Sequence, residues 1–383
     1  MEPLHAPNTG AWLVGGGEMA RYVRSKDWSK TPLGPIDTWP QNLRTVVSLA
    51  QASNSPISLV WGASHTQIYN DGYWPICGAK HPHSMGQDFR ECWASAFPVI
   101  GEAYESAWTG KTTYLHEMRM FLDRHGFLEE TWFTFSFSPI TDDRGQIVGL
   151  FHPVTEMTAQ MLSERRTKAL RDLSGCTGRA RTMEQAYALC SEVLAESNLD
   201  LPFILIYALE QDEKSNRQIA RLVVSTGIEA ETSVSPRTID IDHEASIIPW
   251  PKAAFESKGG NYPIDDADVR LGSIAAGPYP EQPQRAIAVP IAQHGSEHPT
   301  ALMIAGLSSR LPENEAYTSF VSLVGSAIGS VVANARAYEE ERRRTEALAA
   351  LDRDVQRQPQ LEPAALGGLE RVDAAGQRGE RLV

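Results

Sequence analysis

The chain is short of the residues that announce chemistry. Its four cysteines, Cys77, Cys92, Cys176 and Cys190, form no CxxC pair and fit no zinc-ligand spacing. Scattered thiols of this kind ordinarily behave as small apolar core residues. Basic residues are outnumbered, 35 Lys and Arg against 48 Asp and Glu, for a formal net charge of −13. No nucleic-acid partner is expected, because that contact needs cations clustered on one face. The N-terminus, MEPLHAPNTG, has neither a basic leader nor an apolar segment, so no secretory signal is read there. No apolar run approaches the roughly 20 residues of a membrane span. A cytoplasmic protein with no membrane partner is therefore expected. Gly15, Gly16 and Gly17 are not followed by the Gly-Lys-Ser/Thr of a phosphate loop. There is no nucleophile elbow and no Ser-His-Asp order. No catalytic residue and no metal ligand is assigned, and no enzyme activity is expected of this chain.

What is present is apolar patterning. The apolar fraction of 42% is ample for buried cores. A length of 383 residues suggests two to three domains of roughly 150 residues each. Residues 1–50 read as a lead-in, broken by the prolines of TPLGPIDTWP (Thr31 to Pro40). A short helix follows, with Leu43, Val46, Val47 and Ala50 at helical spacing. Then the period changes. ISLVWG (Ile57 to Gly62) and TQIYN (Thr66 to Asn70) read as a hairpin, and Asp71 to Trp108 as broken helices. Three strand-like runs come next: Thr113 to Leu122, Glu130 to Ile140 and Gln146 to Glu156. In the second, Phe133, Phe135 and Phe137 alternate with Thr134, Ser136 and Ser138, which buries one face only. Glu129 and Glu130 are neighbours on that strand and face opposite ways, so they are no acid/base dyad. Two strands, short helices, then three strands is the order of a PAS domain.

The second half repeats the theme with different spacing. Thr155 to about Leu173 reads as a connecting helix, and Thr182 with Gln185 as a capping box. Cys190 shares the apolar face of that second helix. Strand pairs at 202–210 with 218–227, and at 285–292 with 300–308, flank a long region from Ile228 to Gln284. A last helix carries Phe320, Leu323, Val324, Ile328 and Val331. This is the order of a GAF domain. The helix continues as NARAYEEERRRTEALAALDR with Glu339/Arg343 and Glu340/Arg344 at i,i+4 spacing. Such a polar helix wants a partner. The segment after Arg353 has no aromatic residue and no apolar period, and disorder is expected there.

Specific stretches also carry a resemblance. They are GGGEMARYVRSKDWSKTPLGPIDTWPQNLR (Gly15 to Arg44), the run from Trp61 to Trp93 with YNDGYWPICGAKHPHSMGQDFRECW, and DRHGFLEETWFTFSFSPITDDRG (Asp123 to Gly145). LPFILIYALE, AIAVPIA, ALMIAGLS and ANARAYEEERRRTEALAALDR add to them. From Gly15 to Arg353 the chain resembles the N-terminal PAS–GAF sensory region of soluble hybrid histidine kinases of two-component signalling. In that family Leu-Asp-Arg, here at 351–353, leads into a phospho-accepting histidine helix. No His occurs after His298, so the resemblance stops short of the kinase core.

The expected fold is α+β: two antiparallel-sheet sensory domains, PAS then GAF, joined by helices, with a protruding C-terminal signalling helix. Its parts are a lead-in (1–50), PAS (51–156), a linker helix (157–175), GAF (176–335), a signalling helix (336–353) and a disordered tail (354–383). The expected function is signal sensing, by a small-molecule ligand or a protein partner, passed on through a homodimer formed by the helices at 155–173 and 320–353. The alternatives are a truncated phosphorelay kinase whose catalytic domains are lost or encoded separately, and a scaffold that forms mixed dimers with intact histidine kinases.

No cofactor is expected. Cys77 in PICGAK and Cys92 in RECWAS lack the Asn-Cys-Arg setting of a photoactive flavin. Cys176 and Cys190 lie away from a bilin pocket, and no cyclic-nucleotide constellation is found. His81, His83, His116, His125 and His152 sit on or near PAS elements, which is too little for haem or a metal. What remains is a pocket in the PAS aromatics, with Trp61, Tyr69, Asn70, His116 and Trp132 as the candidate ligand-binding residues.

Overall fold

The computed structural model describes residues 10–212, 216–243, 249–257, 260–292 and 299–357. The N-terminal unit begins with α1 (Glu18–Ser25) and α2 (Gln41–Ala52). The hairpin β1 (Ile57–Trp61) and β2 (Thr66–Tyr69) follows, then α3 (Trp74–Cys77), α4 (Phe89–Cys92) and α5 (Phe97–Trp108). Long strands β3 (Thr113–Leu122), β4 (Glu129–Thr141) and β5 (Ile147–Glu156) complete it. The strands form one antiparallel sheet in the order β2-β1-β5-β4-β3, with α3 to α5 inserted between the second and third strands, which is the PAS arrangement. On β4 the expected alternation holds: Phe133, Phe135 and Phe137 are buried, while Thr134, Ser136 and Ser138 are half-buried on the opposite face.

The lead-in is not separate from this unit. Leu13, Met19, Val23, Trp28, Trp39, Leu43 and Val47 belong to the same core as Phe89 and Phe137. The Trp28 ring donates from Nε1 to the Val23 carbonyl at 2.7 Å and meets Trp39 edge-on at 5.0 Å. The glycine run now has a reason. A Cβ on Gly17 would sit 1.8 Å from the Asp71 carboxylate, which instead accepts the Met19 N–H at 2.8 Å. Asp71 thus satisfies a free donor at the start of α1, and the glycine lets it approach.

Helix α6 (Thr158–Ser174) leads out of the PAS unit. The C-terminal body holds α7 (Met183–Ala195), β6 (Ile204–Gln211), β7 (Gln218–Thr226) and β8 (Thr238–Asp240). Then come α8 (Lys252–Phe255), β9 (Tyr262–Ile264), α9 (Ala267–Leu271), β10 (Ala286–Ala292), β11 (Pro299–Gly306) and α10 (Glu315–Arg357). The antiparallel sheet runs β8-β7-β6-β11-β10-β9, the GAF arrangement. One face packs on α6, α7 and α10 through Leu173, Cys190, Leu194, Ile206, Met303 and Val324. The other is covered by α8, α9 and adjoining loops through Tyr207, Trp250, Phe255 and Leu271. The region Ile228 to Gln284 thus supplies the lid of the second core. At α7, Thr182 Oγ1 accepts the Gln185 N–H at 3.2 Å, but Gln185 Oε1 turns to the Arg181 N–H at 2.9 Å, so the box closes one residue earlier than expected.

Helix α10 lies against β10 because two side chains are missing. A Cβ on Gly325 would be 2.6 Å from Val289 Cγ1, and one on Gly329 3.1 Å from Ile291 Cγ2. This packing also corrects a reading of the sequence. Ala316 to Ala335 carries no charged residue, and an 18-residue window of α10 reaches a mean hydropathy of 1.5, enough for a span by length and composition. Half of that window is buried against the body. Near the end of the body the Arg181 guanidinium lies 4.5 Å over the Tyr338 ring and Glu339 accepts the Met183 N–H at 3.4 Å. Further pairs run along α10: Arg343 with Glu339 as expected from spacing, Arg336 with Glu340, and Arg342 with Glu346. Glu340 is therefore held by Arg336, not by the Arg344 expected from spacing. The helix continues to Arg357; residues 358–383 of the expected tail lie outside the described residues.

Candidate functional site

The inner face of the PAS sheet and helices α3 to α5 enclose a cavity of about 30 Å³. Its walls include Ile76, Phe89, Trp93, Ile100, Phe133 and His152. That volume exceeds the roughly 10–15 Å³ a water needs. It falls far short of the ~300 Å³ at which drug-sized ligand pockets begin. His152 is the polar centre of this wall. It is 5% exposed, and its ring stacks on Phe137 at a centroid distance of 4.2 Å, with Phe89, Phe135 and Tyr73 at its edges. Nδ1 donates to the Ser136 carbonyl at 2.9 Å. Burial pushes its pKa down to about 4, against which the Ser136 bond is the weaker influence. The ring is thus neutral, with Nδ1 protonated and Nε2 left as an acceptor.

The five residues named from sequence are placed elsewhere, and none lines this cavity. Asn70 is a backbone clamp. Its Oδ1 accepts the Ile57 and Tyr73 N–H groups at 2.9 and 3.1 Å, and its Nδ2 donates to the carbonyls of Ala50, Ser53 and Ser55. Tyr69 is fully buried, its hydroxyl 2.8 Å from both His81 Nδ1 and Ser84 Oγ. Trp61 lies on the outer face of the sheet, over Gly149, beside a surface groove shared with Trp108 and Ile140. His116 is on edge strand β3 with its side chain 60% exposed, 3.6 Å from Glu117. Trp132 is on the outer face of β4, and its backbone N–H reaches Thr158 at the start of α6. The thiols of Cys77, Cys92 and Cys190 are pushed by burial to about 12, 11 and 12, which leaves them protonated and unreactive.

A second constellation, unforeseen from the sequence, links the PAS sheet to α10. It starts at the β3–β4 turn. Arg124 is buried between Glu129 Oε2 at 2.8 Å and Glu156 Oε1 at 2.7 Å. Burial opposes the charges of Arg124 and Glu129, but their mutual bonds outweigh it, so the arginine pKa rises and the Glu129 pKa falls. The next residue, Glu130, faces the other way and is fully buried. Arg165 of α6 reaches it through Nη1 at 2.8 Å and Nη2 at 3.3 Å, and Arg119 of β3 pairs with it at 2.9 Å. The same Arg165 donates from Nε to Asp200 Oδ2 at 2.6 Å, while Arg166 donates to Oδ1 at 2.9 Å. Arg166 lies 4.4 Å over the ring of Tyr317 on α10, and the Tyr317 hydroxyl donates to the Asp200 carbonyl. Beside this chain the Glu130 N–H donates to the Arg310 carbonyl at 2.8 Å. The Arg310 guanidinium sits 4.4 Å from the ring of Phe121 on β3 and 4.3 Å from Tyr279, and is paired with Glu281. Glu130 therefore touches both of these routes into the second domain, beside which Arg119 Nη2 donates to the Tyr279 hydroxyl at 2.5 Å.

No family model matches the chain, and no curated protein matches it. Solved structures do. The GAF domain of an Acinetobacter phosphoenolpyruvate-protein phosphotransferase is 13% identical over 46% of this chain and 95% of its own, with a TM-score of 0.32. The GAF domain of the Coxiella burnetii phosphotransferase is 18% identical over 45% of this chain and 96% of its own, TM-score 0.32. The PAS domain of the fruit-fly ELK potassium channel is 14% identical over 30% of this chain and 97% of its own, TM-score 0.26. The strand order within each sheet, not these superpositions, carries the fold assignment.

Proposed function

We propose that the chain is a cytoplasmic signal-input module of a two-component system, in which the state of the PAS core passes through α6 to the GAF body and leaves along α10. The observation that carries this reading is the polar chain Glu130–Arg165–Asp200–Arg166–Tyr317, which joins a PAS strand to the output helix by side-chain contacts. The resemblance to the sensory region of hybrid histidine kinases supports the two-component setting. A ligand shifts such a system only by its differential affinity for two states. In the described state the PAS cavity is too small for a drug-sized ligand, so such a ligand selects an expanded core, where His152 Nε2 is the acceptor it meets.

The chain's own part is binding and transmission rather than phosphoryl transfer. Its stalk beyond Glu339, with Leu348 68% exposed, pairs with a second copy or with the matching helix of an intact histidine kinase. Sedimentation of the full chain tests this: a homodimer is expected, and Leu348→Asp should shift it toward monomer. A monomer at all accessible concentrations overturns the pairing. Incubation with ATP should leave no phosphohistidine, and a stable one overturns the non-catalytic reading.

A further inference from the structure

The ion pairs around Arg165 are built so that one of them can open without stranding a charge. Removing one partner of a buried pair is ordinarily costly because the other charge is left uncompensated. Here each carboxylate has a second arginine. If Arg165 leaves Glu130, Glu130 keeps Arg119; the Asp200 carboxylate meanwhile keeps both Arg165 and Arg166. The two contacts differ in what they join. Leu162 and Leu173 of α6 are buried in the GAF core, so α6 belongs to the C-terminal body. Asp200, Arg165, Arg166 and Tyr317 then sit on that one body, while Glu130 sits on the other. The backbone between them is short: Met157 separates β5 from α6 and lies outside both helical and extended geometry (φ −109°, ψ 3°).

We infer that the seam between the two domains is a release joint, pivoting at Met157, in which Arg165 and the Arg310 carbonyl let go of Glu130 together while Asp200 keeps α6 latched to α10. The PAS unit then swings as a lid on the second body without loosening the root of the output helix. Two more grips must open: Arg310, clasped between Phe121 and Tyr279, whose ring contacts tolerate sliding because the attraction is broad and not directional at one atom, and the Arg119 Nη2 bond to the Tyr279 hydroxyl at 2.5 Å. This deepens the reading of α10 as the output element and rests on it, but the measurement below reports on the seam itself, whatever α10 drives.

The test is amide hydrogen exchange on the full chain. The Glu130 N–H, bonded only across the seam, is the reporter. In Arg165→Met its exchange should rise about tenfold, the effect of losing one charged hydrogen-bonded pair. The first-turn amides of α10 at Tyr317 and Thr318 should be unchanged. In Arg166→Met the pattern should reverse, with the α10 amides faster and Glu130 unchanged. Arg310→Met opens the other grip without touching Arg165, should also speed Glu130, and serves if Arg165→Met fails to fold. Unchanged Glu130 exchange in either seam variant overturns the joint. So does acceleration of Glu130 and the α10 root together in Arg310→Met, which leaves both arginines on Asp200 in place and would mean one rigid unit with no joint. A dimer lost or kept in the sedimentation experiment has no bearing on these outcomes.

Discussion

Lowering the pH from about 8 to about 5 should destabilise the PAS unit by about 2 kcal/mol through His152 alone. The unfolded imidazole takes up its proton near 6.5, whereas the buried one does so only near about 4. Between those values the unfolded chain binds more protons, so stability falls as pH falls. The contribution is fully present above 6.5 and exhausted below about 4. At about 1.36 kcal/mol per unit of difference, the complete loss is about 3 kcal/mol, most of it reached by pH 5. Urea unfolding followed by tryptophan fluorescence reads the right domain, because Trp28, Trp39, Trp61 and Trp93 are all buried in the PAS core. The Glu129 carboxyl, held low by Arg124, loses its own contribution on acidification in the same direction, so wild type must be compared with His152→Phe. A phenyl ring keeps the stack on Phe137 and cannot be protonated. The variant should show a shallower decline between about pH 6.5 and 4.5, the difference reaching about 2 kcal/mol. Equal pH slopes in the two proteins would refute the burial argument.

Asn70→Ala removes the partner of two N–H groups and three carbonyls at once, and should cost about 3 kcal/mol or more in urea unfolding of the PAS unit. Gly17→Ala forces the Asp71 carboxylate off the Met19 N–H and should loosen α1, at about 1–3 kcal/mol. Faster proteolysis near Gly15–Ser25 with an unchanged GAF transition is the expected signature.

The sheets were legible because alternation writes itself into the chain, as Phe133, Phe135 and Phe137 show. His152 was legible by the same rule, since Leu150 and Val154 flank it at a period of two and both are buried. Selecting aromatics by composition led instead to Trp61 and Trp132, which the register puts on the outer face. Asn70, next to a hairpin strand, looked like a pocket residue; its five backbone partners come from segments whose approach only the fold reveals. The Glu130–Arg165–Asp200 contacts could not be read at all. Each partner is a common surface type, 35 residues from the next. Nor could spacing divide the segment from Ile228 to Gln284, where elements as short as α8 and β9 leave no period to count.

The two glycines of α10 have a consequence for how that helix can move. With Gly325 and Gly329 turned to the sheet, the helix backbone nearly touches Val289 and Ile291. Successive residues are about 100° apart around the axis, so a turn by one residue would drive Ser326 and Ser330 into a gap sized for hydrogen. Twisting is therefore sterically blocked along this stretch. What the stalk retains is freedom to lean, with the glycine notch as fulcrum and the distal turns as the long arm.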